Sequence, residues 1–183
     1  MTTMLQVGRP SQLDTKRVDL GAIASEVASV ARGEATASNG LEIDYFAPEE
    51  PIIVTADTGR MRQVVWNLVK NAVQASQHRG RVEIRPGRDE TGRAFLEVAD
   101  EGPGIEVTQR ERMFDMFYSG RSHGVGLGLA LVKQIVDQHK AQIEILDRDG
   151  PGACFRVTLP REEDSVRPRA AAQPDERPDR RPA

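Results

Sequence analysis

Three stretches of helical periodicity, each followed by a pair of short alternating runs, set the frame of this chain. The first, Val18 to Ser38, places Leu20, Ile23, Val27 and Val30 on one helix face, with Asp19 at its start as a cap. Strands are predicted next at Leu41–Phe46 and Ile52–Thr55, with Pro48 and Pro51 punctuating the turn between them. The second helix, Asp57 to Gln77, carries Met61, Val64, Val65, Leu68, Ala72 and Ala75 on its apolar face. Beside that face runs a polar stripe of Arg60, Gln63, Asn67 and Asn71. After a stop at Arg79-Gly80, Val82–Arg85 and Ala94–Ala99 read as a hairpin around Pro86 to Gly92. A short helix over Val107–Met116, a long one over Gly126–Lys140 and a last hairpin of Gln142–Leu146 and Ala153–Leu159 complete the order.

With 183 residues and 38% hydrophobic content, the chain can bury the core of one domain. Met1 to Lys16 is polar and holds Gly8, Pro10 and Ser11, as a connector does. From Arg161 onward Pro, Arg, Asp and Glu leave hardly an apolar residue, so residues 161–183 are expected to be a disordered tail. A net charge of -3 with interspersed signs provides no basic field for nucleic acid or an anionic membrane. Cys154 is the single cysteine, and no leader or long apolar stretch occurs, which predicts a soluble cytoplasmic chain without membrane contact.

Three segments carry chemistry. In Asn67-Leu-Val-Lys-Asn71 the two carboxamides stand four apart on one helix face. Each offers a hard oxygen suited to Mg²⁺, although a polar stripe on an amphipathic helix can equally be its solvated face. Asp100-Glu-Gly-Pro-Gly104 ends a strand with a carboxylate beside a turn that needs glycine. That Asp can accept the exocyclic amine of adenine, or merely cap the turn. Gly124-Val-Gly-Leu-Gly128 opens a helix, where bare N–H groups and the dipole favour phosphate, and where glycines also serve tight packing. It is neither the dinucleotide fingerprint, since Leu129 stands where a third glycine would fall, nor a Walker loop.

In this order the three segments resemble the asparagine box and the two glycine boxes of the histidine kinase catalytic domain, in the GHKL (Bergerat-fold) ATPase superfamily. Met113-Phe114-Asp-Met-Phe117 resembles that family's phenylalanine box, and the segment from Phe117 to Gly124 has the length of a short ATP lid. Gly152-Ala-Cys-Phe155 onward resembles its last strand, and Asn71-Ala-Val-Gln-Ala-Ser76 is most similar to sensor kinases of the nitrogen-regulation type. The resemblance covers residues 18–160 and implies an α+β fold: a two-layer α/β sandwich with a mixed, mostly antiparallel sheet, helices on one face and an ATP lid. It implies ATP and Mg²⁺ as cofactors, with Asn71 the metal ligand, Asp100 the adenine partner, and Gly102, Gly104 and Ile105 the turn against the base. Phe117, Arg121, Gly124, Val125, Gly126, Leu127 and Gly128 would line the lid and phosphates, Arg121 in a position where such kinases often carry Lys. Val125 and Ala153 replace a usual Thr or Ser.

Asn67 separates the branches. In the gyrase, MutL and chaperone relatives and in anti-sigma serine kinases, the position four before the metal-binding Asn is typically Glu, the general base. A carboxamide cannot take up a proton at neutral pH, whereas a neutral imidazole acceptor already has its lone pair. The resemblance therefore implies an ATP-dependent protein-histidine kinase domain, with Asn67, Asn71 and Arg121 at the transferring phosphate and catalysis by positioning and charge neutralisation. The acceptor is expected on a separate dimerisation domain, in cis or in trans, with a response regulator downstream. His78, His123 and His139 lack the acceptor's context and read as solvated structural residues, and residues 1–17 resemble the end of a dimerisation helix. The competing readings are a nucleotide-gated binding module without transfer, and a standalone ATPase or protein-serine kinase.

Overall fold

The two longest helices of the computed structural model start where an aspartate side chain accepts a first-turn backbone amide; the later helix starts have no side-chain cap. The structure describes residues 13–35, 40–77, 79–115, 127–148 and 150–161. The elements run β1 (Lys16–Asp19), α1 (Leu20–Ala35), β2 (Leu41–Tyr45), β3 (Ile53–Ala56), α2 (Thr58–Ala75), β4 (Gly80–Arg88) and β5 (Ala94–Asp100). They continue with α3 (Val107–Arg110), a 3-10 turn at Arg112–Phe114, α4 (Gly128–Gln138), β6 (Gln142–Leu146) and β7 (Cys154–Thr158). Asp19 Oδ1 accepts the Gly21 N–H at 2.9 Å and the Ile52 N–H at 3.1 Å, so the predicted cap of α1 also fastens the start of β3's segment. Asp57 Oδ1 caps α2 by accepting the Arg60 N–H at 3.0 Å.

Five strands form one sheet in the order β2-β4-β5-β7-β6, parallel between β2 and β4 and antiparallel elsewhere. Alternation assigns its faces. Val82, Ile84, Leu96, Val98, Phe155 and Val157 point inward and join the buried faces of α1, α2 and α4 in a single core. The other face carries a cross-strand row of alternating sign, Arg85–Glu97–Arg156–Glu144, with guanidinium groups 3.9 Å from the Phe46 ring and 4.7 Å from the Phe95 ring. This is the mixed, mostly antiparallel sheet layered with helices that the sequence implied.

Three local readings change. Lys16 and Arg17, taken as connector, and Val18, taken as helix, form β1, which pairs antiparallel with β3 through Val18↔Val54 in a separate two-stranded sheet. Four residues with one apolar side chain carry no period; only β3 makes them a strand. β2 and β3 do not pair with each other. β4 runs on through Pro86 to Arg88, tolerated because β2 stops at Tyr45 beside Ile84 and leaves that edge of β4 without a ladder. Among the described residues no helix is long and apolar enough to cross a membrane.

Candidate functional site

Helix α2 spans the site from end to end. Asn67 and Asn71 are half-buried on one face, and Asn67 Nδ2 donates to the Gln63 carbonyl at 2.8 Å. Its Oδ1 is directed at α4, where a Cβ built on Gly128 would lie 3.4 Å away. Eight residues further along α2, the Ala75 carbonyl presses on Gly102, whose Cβ would come within 2.8 Å of it. At 1.5 Å rise per residue these two contacts are about 12 Å apart, with Asn71 midway between them. The Asp100 turn and Gly128, the last residue of the third segment, therefore both adjoin the helix that carries Asn67 and Asn71.

Asp100 ends β5 with 1% of its surface exposed. Its Oδ1 accepts the Gly102 N–H at 2.8 Å and the Ala153 N–H at 3.4 Å, and its own N–H donates to the Ala153 carbonyl at 2.9 Å. The first of these bonds is an Asx turn, the local chemistry that the Asp-x-Gly spacing predicts. Arg148 Nη1 donates to the Asp100 carbonyl at 2.6 Å. At φ +104, Gly152 approaches the same carbonyl so closely that a Cβ would overlap the oxygen. Gly104, at φ +79, faces the Gly152 carbonyl, and Ile105 packs against the core. The carboxylate is thus held by the β6–β7 connection. Arg148, Gly152 and Ala153 were not singled out for this by sequence, since Gly150-Pro151-Gly152 signals only a hairpin turn. Next to them Cys154 is buried, and burial, with the Glu97 carboxylate nearby, pushes its thiol up to about 11.

Unlike α1 and α2, α4 starts without a side-chain cap. Leu127 takes its N-cap position at φ -99 and ψ -19 and makes no side-chain cap hydrogen bond, and no acidic residue stands in the first turn. A helix start of this kind leaves amide N–H groups without internal partners at the positive end of the dipole. Gly128 opens that turn beside Asn67, so the last glycine of the predicted phosphate loop lies where a phosphate would meet both. Phe117, Arg121, Gly124, Val125 and Gly126, the lid among them, lie outside the described residues, as do His78 and His123. His139 stands at the C-cap of α4, a helix end as expected, but it is not solvated: 8% of its surface is exposed. The reason is tertiary, since its ring is inserted between α4 and the start of α2.

A cleft of about 520 Å³ lies between α3 and the β6–β7 connection, beside the Asp100 turn, lined by Gly104, Ile105, Gln109, Arg110, Arg148 and Gly152 among others. Asn67, Asn71 and Asp100 do not border it. Arg110 closes one side by pairing with Asp147 at 2.6 Å. Among the described residues no three His, Cys, Asp or Glu side chains gather as a metal-binding group.

The family described as histidine kinase-, DNA gyrase B-, and HSP90-like ATPase matches residues 56–163. Sensor histidine kinase ZraS of Salmonella typhimurium is 30% identical over 160 residues, covering 87% of this chain and 34% of that protein. The chain thus spans about a third of the length of the curated relatives it matches, 34% in this case. Among solved structures, the catalytic domain of histidine kinase ThkA superposes with a TM-score of 0.71 at 27% identity, over 81% of this chain and 96% of that one. Full-length ShkA in complex with AMPPNP also gives 0.71, at 30% identity over 81% of this chain and 31% of ShkA.

Proposed function

Because this chain belongs to the family of histidine kinase-, DNA gyrase B- and HSP90-like ATPases, we propose that it is the catalytic domain of a sensor kinase. In this reading it binds Mg-ATP and passes the γ-phosphate to a histidine on a separate dimerisation domain, which in turn serves a response regulator in the cytoplasm. The observation that carries the reading is the placement of α2, with an uncapped, glycine-opened helix start against Asn67 and a buried Asp100 turn against Ala75. One end suits anionic phosphate and the other a base.

The residues take roles accordingly. The Asp100 carboxylate, already oriented by the Gly102 and Ala153 N–H groups, accepts a hydrogen bond from the exocyclic amine of adenine, with Gly102, Gly104 and Ile105 along the base. Asn71 would hold Mg²⁺ through its carboxamide oxygen, with phosphate oxygens and water as the other ligands; a hard oxygen donor fits that ion, which when bound neutralises charge on the β- and γ-phosphates. Leu127 and Gly128 present amides to the phosphates, and we assign Gly124, Val125, Gly126, Phe117 and Arg121 to the same loop and lid. Asn67 packs on Gly128 and keeps a carboxamide, not a base, beside the γ-phosphate. Water is therefore not activated there. An incoming imidazole nitrogen uses its own lone pair to form the N–P bond while the bond from γ-phosphorus to the bridging oxygen breaks, and ADP leaves with that electron pair.

The test is transfer. The chain, Mg²⁺ and γ-labelled ATP are incubated with the dimerisation domain of its parent kinase, and acid-labile, alkali-stable label is measured on histidine. Asn71→Ala should reduce transfer by about 10²-fold or more, the scale of losing one preorganised electrostatic contact. Nucleotide binding without any label on histidine would overturn the transfer reading.

A further inference from the structure

Helices α2 and α4 run antiparallel and touch at two defined places. At one, Gly128 meets Asn67; at the other, the C-cap residue of α4, His139, meets Asp57, the N-cap residue of α2. His139 Nε2 accepts the Asp57 backbone N–H at 3.0 Å, and its Nδ1 lies 2.9 Å from the Ile135 carbonyl. An acceptor at Nε2 and a donor at Nδ1 describe one neutral tautomer, fixed from both sides. Asp57 is engaged on every side as well. Its Oδ1 caps α2 through Arg60, its Oδ2 accepts the Asp14 N–H of the entering chain at 3.1 Å, and its own N–H goes to the histidine. That N–H is one a helix cannot satisfy internally.

We propose that His139 is a positioning residue: by holding the α4 end to the Asp57 corner of α2, it sets the spacing at the opposite end, where Asn67 faces the glycine-opened start of α4. Asn67 lies ten helical steps from the N-cap Asp57, a rigid arm of about 15 Å, so a shift at the corner is carried to the site rather than absorbed. The two elements adjoin there, since a Cβ on Gly128 would stand in van der Waals contact with Asn67 Oδ1, at 3.4 Å. The entering chain reaches the same corner twice, through Asp14 and through β1, which pairs along β3 up to Lys16↔Ala56. The consequence for nucleotide rests on the pocket reading above; the spacing itself does not.

Two variants and two readouts separate these. His139→Leu keeps most of the volume and removes the acceptor, while His139→Gln offers a carboxamide oxygen to the Asp57 N–H. In nucleotide-free protein, His139→Leu should displace the amide resonances of Asn67, Asn71 and Gly128, and His139→Gln should return them. Titrated with Mg-AMPPNP at a temperature where the chain is folded by circular dichroism, His139→Leu should bind about tenfold more weakly, the scale of one buried hydrogen bond left unmade. His139→Gln should bind within about twofold of the native chain. A His139→Leu chain that melts lower yet keeps native resonances and native affinity overturns the proposal, since the histidine would then be structural only. Should that variant not fold, His139→Asn, which can keep the Ile135 bond but falls short of Asp57, is read in the same way. Displaced resonances in a chain whose native form binds no nucleotide would uphold the junction and sink the pocket reading instead.

Discussion

At Gly152 the absence of a side chain decides the position of a carboxylate one strand away. Its φ of +104 belongs to glycine, and a methyl group in place of the hydrogen would overlap the Asp100 carbonyl oxygen. Gly92, at φ +82, is the natural comparison, because nothing lies within 4 Å of the Cβ it lacks. Gly92→Ala should cost about 1 kcal/mol, from backbone strain alone. Gly152→Ala adds a steric conflict to that strain and should cost about 2–4 kcal/mol and weaken nucleotide binding. Urea unfolding of both variants checks this, and equal losses would mean that the Asp100 turn is not clamped as described. The Asp100-Glu-Gly-Pro-Gly104 turn was legible in sequence because an Asx turn is local; its clamp was not, because Arg148 and Gly152 reach it from 48 and 52 residues away in sequence.

Among the elements, α2 and α4 begin in opposite ways, one start capped by a side chain and the other not. Asp57 closes α2, and the Arg60 backbone N–H, helped by those of Asp14 and Gly59, holds its carboxyl below the usual carboxylate range. A lowered folded value means that the carboxylate stabilises the fold above the unfolded value, about 3.9, and that this contribution is lost as pH falls through the folded one. Asp57→Asn keeps a capping oxygen but does not titrate, so its stability should fall less steeply than that of the native chain between about pH 4 and pH 2. Chemical denaturation across that range measures the slope; parallel curves would remove Asp57 from the acid response. Both helices were predicted from their apolar period. The missing cap of α4 was visible as well, in the glycines and Leu127, whereas β1 was hidden because its conformation is imposed by β3.

For the whole molecule, the fold is that of histidine kinase catalytic domains: a mixed five-stranded sheet with helices gathered in one core. A ligand that binds only the folded state stabilises it by mass action. Mg-ATP at a hundred times its dissociation constant should add about 2.7 kcal/mol, which for a chain of this size raises Tm by about 5–10 °C. Differential scanning fluorimetry with Mg-ATP, with ATP plus a chelator, and with the Asn71→Ala chain gives the comparison. A shift that survives both the chelator and the substitution would show that Asn71 and the metal are not what hold the nucleotide.

What the amino-acid sequence determined by itself was the set of parts: the apolar periods that make α1, α2 and α4, the Asx turn at Asp100, the glycine-opened start of α4, and the carboxamides of Asn67 and Asn71 on one helix face. Each depends on residues within about two helical turns of one another, so short-range sterics and hydrogen bonding are enough to specify them. What the tertiary structure decided was how they meet. The partnership of β1 with β3, the hold of residues 148–153 on Asp100, and the burial of His139 against Asp57 join residues far apart in the chain. No local pattern encodes such contacts, because they follow from the packing of three helices and a sheet around one core.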